Sequence, residues 1–384
     1  MEKKIALFSC HSDFNYGSML QAYALHAAIK KLGKDSEYIR FVSSNEPPTG
    51  LGKIKEKLAL IPQLPVILYN KFFRRKQGRP EYYYFNTPEF ASTVEAFKRF
   101  HDKYIPCSKH VYYFNTVKKE LDVNEYSAYM VGSDQLWSPN LYSPKKPYFL
   151  DFADLPKRCA YAPSMGTTTI SSEFAEVIKD KLKAFNYLSC REITNSKFLS
   201  ELTGKDVQHV LDPTLLLDSN DWDKITEQAS MPVKGNYVLA YILGEKDSVI
   251  AFAEKLGKEK NLPVYYILTR PKYLSMQHLI TGCGPDTFVN LVKNASYVVT
   301  DSYHGTIFSI IYKRNFYSFS KRDGSLDSVD NIRILEFLRM LGLESRFQVD
   351  ENVICLKEID YSNCIRIIDN LREESVMYLK NCLR

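Results

Sequence analysis

Four short stretches of this sequence carry residues able to move a proton or hold an anion. The first is Asp301-Ser302-Tyr303-His304-Gly305. It lies between an aromatic and β-branched run, Tyr297–Thr300, and the apolar residues Ile307, Phe308, Ile310 and Ile311. A histidine at such a junction can give or take a proton near pH 7. Asp301-Ser302 can cap the following helix, and Gly305 lets a backbone come close. The second stretch is Arg191-Glu192, delivered by the run Asn186–Cys190. A guanidinium grips a carboxylate or phosphate with two parallel hydrogen bonds, where lysine offers only a point charge. The third is Asp134, after Gly132 and Ser133. It reads either as a base towards a hydroxyl or as a turn cap. The fourth is Asn15, Gly17 and Ser18, which either touch a substrate or only cap a helix. Plainer readings stand beside the first two: an exposed turn histidine, and a salt bridge from Arg191 to Glu192 or Asp212. Asp212-Pro213 is expected to serve structure at a domain edge. Trp137 suits a sugar ring or the core.

The elements that position these residues alternate between strands and helices. Ile5–Ser9 reads as a strand, and the run from Met19 has its apolar residues Leu20, Ala24, Leu25, Ala28 and Ile29 at helical spacing. Gly33 ends that helix, and Ser36–Val42 is the next strand. The junction is not GxGxxG, so no dinucleotide site is expected. Strands and helices go on alternating to about residue 220. The pattern then restarts at Tyr237–Leu243. This predicts an α/β chain with two Rossmann-like, doubly wound domains, 1–222 and 223–384, facing a cleft. A helix at Tyr361–Leu383, weakened near Glu373-Glu374, closes the chain. Strand-to-helix turns at the carboxyl ends of parallel strands are where such sheets bind ligands, so all four stretches are expected on the cleft. Residues 45–110 read as a helical excursion. Phe72, Phe73, Arg74, Arg75 and Lys76 within it suit a lid or a membrane-surface patch; the plainer reading, an inserted helical hairpin with a solvated basic face, is preferred.

Composition narrows the class. The chain has 384 residues, 45% hydrophobic and 25% charged, as in an ordinary globular protein. A net charge of +6 is too mild to call for nucleic acid, and suits a small anionic substrate or a weak membrane-surface preference. The eight cysteines form no CxxC pair, which argues against a zinc ribbon. No apolar run is long enough to span a membrane, and the first residues read as a strand, not a signal peptide. A reduced, cytoplasmic protein is expected, working in solution or at the inner face of the membrane.

NYGSMLQAYAL, VGSDQLW, AYAPSMG, LSCREITNSKFLSELTG, HVLDPTLLL and TDSYHGTIFSI occur in this order along the chain. Together they resemble the polysaccharide pyruvyl transferase family over nearly the whole length. The resemblance implies a fold like that of GT-B glycosyltransferases. It implies phosphoenolpyruvate as donor, a surface polysaccharide or its lipid-linked sugar precursor as acceptor, and no metal or bound cofactor. It makes His304 the general acid and Arg191 the residue holding the donor's anionic groups. Some members have arginine at the position of Ser302, so one donor contact is either missing or supplied from elsewhere, with Lys321 and Arg322 as candidates. The expected donor set is therefore Arg191, Ser302, Tyr303, Gly305, Thr306 and Lys321. Asp134 is the candidate base, and Asn15, Gly17, Ser18 and Ser133 the acceptor set. Two alternatives remain: a GT-B glycosyltransferase using a nucleotide sugar, with Glu336 or Asp330 recruited, and a non-catalytic relative that binds a glycan or an anion.

Overall fold

In the computed structural model, residues 3–11, 14–42, 88–113, 116–139, 147–167, 169–321, 332–347 and 357–384 are described. The basic aromatic segment at Phe72–Lys76, Arg322 and Asp330 lie outside them.

The chain is α/β with parallel sheets. The first half holds β1 (Ile5–Phe8), α1 (Tyr16–Lys31), β2 (Ser36–Val42), α2 (Ala91–Tyr104), β3 (Cys107–Tyr113), α3 (Val117–Glu120), β4 (Ala128–Val131), β5 (Arg158–Ala160), α4 (Ser172–Lys183), β6 (Leu188–Cys190), α5 (Ile193–Thr203), β7 (Val207–His209) and α6 (Ser219–Thr226). The second half holds β8 (Val238–Ile242), α7 (Asp247–Lys260), β9 (Val264–Leu268), α8 (Pro285–Asn294), β10 (Tyr297–Thr300), α9 (Tyr303–Ile311), β11 (Asn315–Ser318), α10 (Ile332–Met340) and α11 (Ser362–Leu383). The first sheet runs β3-β2-β1-β4-β5, with a parallel bridge from Cys159 to Tyr187 leading on to the β6-β7 pair. The second runs β11-β10-β8-β9. Strand order therefore reverses between β1 and β4 in one sheet and between β8 and β10 in the other. At such reversals the connections leave on opposite faces and open a crevice at the strands' carboxyl ends.

Two helices sit at those crevices. In α1 the residues Ala22, Ala24 and Ala28 let neighbours approach closely, and the helix is buried along most of its length. Asn15 caps it, its side chain accepting from the Ser18 N–H at 3.1 Å. In α9 every residue is buried, and Ser302 caps it by accepting from the Gly305 N–H at 3.3 Å. Tyr16 at the start of α1 stitches the halves. Its hydroxyl donates to the Cys283 carbonyl at 2.9 Å, and its ring lies 4.9 Å from Phe288 and 5.6 Å from Tyr241. Side chains of this size each contribute about 1.5–3 kcal/mol when buried. One apolar core thus runs through both halves.

Several sequence expectations need adjustment. β3 goes beyond them, because its first residues, Cys107–His110, fall in the stretch that reads as an excursion. α6 occupies the expected edge of the first domain, where Asp218 and Asp221 form a reciprocal capping box. α11 runs unbroken through Glu373-Glu374, since glutamate is a good helix former. The sequence groups this helix with the second half, yet it also hydrogen-bonds to the first. Tyr378 donates to the Ala160 carbonyl at 2.7 Å, and Ser375 accepts from the Leu211 N–H at 3.0 Å. No helix among the described residues is long and apolar enough to cross a membrane.

Candidate active site

At the centre of the cleft cluster is Asp212. Its side chain is fully buried, and Thr214 fixes Oδ1 through its N–H at 3.0 Å and its hydroxyl at 2.6 Å. Oδ2 takes a 2.7 Å hydrogen bond from Arg191 Nη1 and lies 3.5 Å from His304 Nε2. Asp212 caps the turn at Pro213–Leu215, as a structural role at a domain edge would have it, and goes beyond that role. Its carboxylate joins the arginine of one half to the histidine of the other. Arg191 does make the salt bridge foreseen as its plainer reading, but its Nη2 and Nε are buried without a hydrogen-bond partner among the described residues. The guanidinium lies 4.4 Å from the centre of the Tyr303 ring. Such a cation over an aromatic face is held in orientation while its remaining N–H groups stay available. His304 Nε2 is likewise buried without a hydrogen-bond partner among the described residues.

Gly17 explains how α1 reaches this cluster. A Cβ there would stand 2.0 Å from His304 Nδ1, so only glycine lets the first turn of α1 lie against the imidazole. One residue on, the Ser18 hydroxyl donates to Asp134 Oδ2 at 2.8 Å. That bond spans the reversal between β1 and β4. Asp134 has φ of 77°, a left-handed conformation aspartate tolerates better than most residues. Burial alone pushes its carboxyl up. Arg191, then His304, then Ser18 and Arg333 outweigh burial and hold it below the ordinary carboxylate range. Burial works against Asp212 too, and His304 followed by Arg191 holds it far below that range. Both carboxylates therefore stay ionised at neutral pH. A carboxylate so acidic is a weak proton acceptor, which makes Asp134 better suited to orienting a hydroxyl than to acting as the base expected for it.

The remaining expected residues divide. Tyr303 lies under Arg191 as part of the cluster. Ser302 is the α9 cap. Gly305 packs on the sheet, where a Cβ would stand 2.5 Å from Thr300 Oγ1. Its N–H goes to Ser302 Oγ and that of Thr306 to the Ser302 carbonyl, so neither of these members of the expected donor set presents an open N–H. Asn15 is the α1 cap. Ser133 is buried, with its hydroxyl on the Ala162 carbonyl at 2.7 Å. Trp137 is core, stacked on Phe149. Lys321 follows β11 on the expected rim, its carbonyl against Gly244.

One cation escaped the sequence reading. Arg333 on α10 lies 5.8 Å from the Tyr303 ring, and with the Gln135 amide turned both its Nη atoms donate to that amide oxygen at 2.9 Å. A small pocket opens beside Arg191, Tyr303 and Arg333. The cluster thus places two guanidiniums by one aromatic ring, next to a histidine. Glu336, considered for a nucleotide sugar, instead binds the N–H and hydroxyl of Thr194 at 3.0 and 2.9 Å.

Residues 15–321, from the α1 cap to the end of the second sheet, match the family model described as polysaccharide pyruvyl transferase. The chain belongs to the polysaccharide pyruvyl transferase family. Membership makes it a transferase, and the family's general reaction is pyruvyl transfer to polysaccharide. No curated protein matches the chain. Among solved structures it is similar to UDP-GlcNAc 2-epimerase from Methanocaldococcus jannaschii, at 13% identity over 97% of this chain and 100% of that one, with a TM-score of 0.39. The Neisseria meningitidis UDP-GlcNAc 2-epimerase gives 9%, 99%, 100% and 0.43 in the same order. A Klebsiella pneumoniae protein of uncharacterised function gives 15%, 68%, 87% and 0.39. Likenesses this remote carry no argument about this pyruvyl transferase family member.

Proposed function

We propose that the protein transfers the pyruvyl group of phosphoenolpyruvate to hydroxyls of a surface-polysaccharide sugar or its lipid-linked precursor, forming a pyruvate ketal and releasing phosphate. The observation that carries this reading is the buried Arg191 guanidinium, whose Nη2 has no hydrogen-bond partner among the described residues, at a pocket that Arg333 also lines, with His304 Nε2 3.5 Å from the same Asp212 carboxylate that Arg191 binds. Phosphoenolpyruvate has two anionic groups. Arg191 and Arg333 hold one each, the former with the bidentate geometry that lysine lacks. Protonated His304 gives its Nε2 proton to the methylene carbon, which becomes the methyl group. A sugar hydroxyl oxygen bonds to the adjacent carbon and loses its proton. A second hydroxyl then displaces phosphate from that same carbon, and the leaving phosphate takes up a proton. Asp212 stabilises the imidazolium before transfer. Asp134 and Ser18 orient the attacking hydroxyl.

The test is phosphate release from phosphoenolpyruvate with a panel of lipid-linked sugars, alongside calorimetry with phosphoenolpyruvate alone. Release that depends on one acceptor, with a new ketal in the product, is the expected result. Donor binding without any acceptor-dependent release would favour a non-catalytic anion binder. No donor binding at all would remove the proposal.

A further inference from the structure

In the first half, outside the Arg191–His304 cluster, three metal-ligand side chains from separate elements meet. His11 lies in the loop after β1, His101 in the last turn of α2, and Cys107 opens β3. His11 Nδ1 is 3.3 Å from His101 Nε2, and Cys107 Sγ is 3.6 Å from His101 Nε2 and 3.8 Å from His11 Nδ1. Zinc bonds of about 2.0–2.1 Å to nitrogen and about 2.3 Å to sulfur, at tetrahedral angles, put two nitrogens about 3.4 Å apart and nitrogen and sulfur about 3.6 Å apart. The triangle is the size of one face of a zinc tetrahedron. A hydrogen bond between the two imidazoles would account for one edge, but not for a sulfur set nearly equidistant from both nitrogens.

An outer contact supports the same reading. His101 Nδ1 lies 3.3 Å from Asp102 Oδ1. Partners of this kind on metal-binding histidines fix the tautomer and turn the free lone pair inward. The absence of any CxxC pair argues against zinc at the level of sequence. Here the ligands are 90 and six residues apart and only folding assembles them.

The geometry points to a metal site in which His11, His101 and Cys107 bind one divalent ion of the zinc type, with water in the fourth position. Two imidazoles and a thiolate select zinc over the hard cations magnesium and calcium. On binding, the Cys107 S–H bond gives way to a sulfur–metal bond and the proton leaves to solvent. The ion clamps the loop that leads into Asn15, Gly17 and Ser18 onto α2 and β3.

The test uses the full chain, stripped with a chelator and titrated with zinc and with cobalt. One equivalent of zinc should bind, protecting Cys107 from alkylation, as mapped on peptides. Cobalt should give thiolate charge-transfer absorption and the strong visible bands of a four-coordinate ion. Cys107→Ser should abolish the charge-transfer band, and His101→Gln, at a half-buried side chain, should weaken zinc binding by about 10²-fold or more while the fold is retained. Failure to bind a stoichiometric ion, a charge-transfer band that survives Cys107→Ser, or a protected cysteine other than Cys107 would each overturn the site. The alkylation map on the unaltered chain decides even if a variant does not fold.

Discussion

Two buried polar clusters in this protein handle charge in opposite ways. Around Arg191, opposite charges face each other: one guanidinium touches Asp212, and Asp134 and Asp212 are held ionised against the pull of burial. Around His11 no such compensation wins. Burial lowers His11 to about 4 and pushes the Cys107 thiol up to about 11, so at neutral pH both are uncharged. Burial is the strongest single influence on all four groups, and its outcome depends on whether a counter-charge sits beside the group. The first cluster is prepared for an anion and a proton. The second is a neutral nest of lone pairs, which suits a cation. Variants that change the charge of the first cluster should therefore damage chemistry, and those at the second should damage metal retention.

The largest expected effect belongs to His304. His304→Gln should keep the fold and lower turnover by about 10²–10⁴-fold, with a small change in the Michaelis constant for phosphoenolpyruvate, because a general acid acts in the transition state. Steady-state kinetics with the true acceptor checks it. Near-native turnover would remove His304 as the acid and leave the first cluster a purely structural ion pair.

Gly17→Ala comes next and tests whether the first half places the imidazole. The new methyl carbon cannot remain 2.0 Å from Nδ1, so the ring must move. A displacement of about 1 Å costs on the order of 10²-fold in a catalytic group. The loss should fall on turnover while calorimetric donor binding by Arg191 survives. An unchanged rate would mean that His304 has slack the structure does not suggest.

The third comparison sets Arg333 against Lys321. Arg333→Gln should raise the Michaelis constant for phosphoenolpyruvate about tenfold, a loss of about 1.4 kcal/mol. Lys321→Ala, the substitution that the sequence alone recommends, should raise it less. The reverse ranking would return the missing cation to the rim after β11. Ser302→Arg in the Arg333→Gln background should recover part of the affinity.

That ranking shows where sequence was readable. His304, Arg191, Asp134, Gly17 and Ser18 could be found because each follows a strand, and parallel strands send their carboxyl ends to one rim. The parallel α/β class followed from the same alternation. Asp212 was legible as a turn cap and as a partner of Arg191, but its contact with His304 joins residues far apart in the chain and only folding shows it. Arg333 was invisible because an arginine on an amphipathic helix reads as solvated surface, and only the packing of α10 brings it near Tyr303. His11, His101 and Cys107 lacked any local spacing signal. β3 was hidden by its charged, half-exposed residues, whose pattern resembles a loop.

The last expected effect is on stability against acid, and it tests the charge compensation of the first cluster. The folded state holds Asp212 well below its unfolded value of about 3.9. A carboxylate depressed in this way contributes stability that is fully present above about pH 4 and is lost as pH falls through the folded value. Asp212→Asn removes that titration. It should be destabilised at pH 7 by about 3–5 kcal/mol, because Arg191 is left buried without its anion. Its further decline below pH 4 should be shallower than that of the wild type by up to about 1.4 kcal/mol per pH unit, the slope of one proton. Urea unfolding at pH 7, 4 and 3 measures both quantities. Parallel curves for the two proteins would mean that Asp212 is not held ionised by Arg191 and His304. The charge-compensated character of the first cluster would then have to be given up.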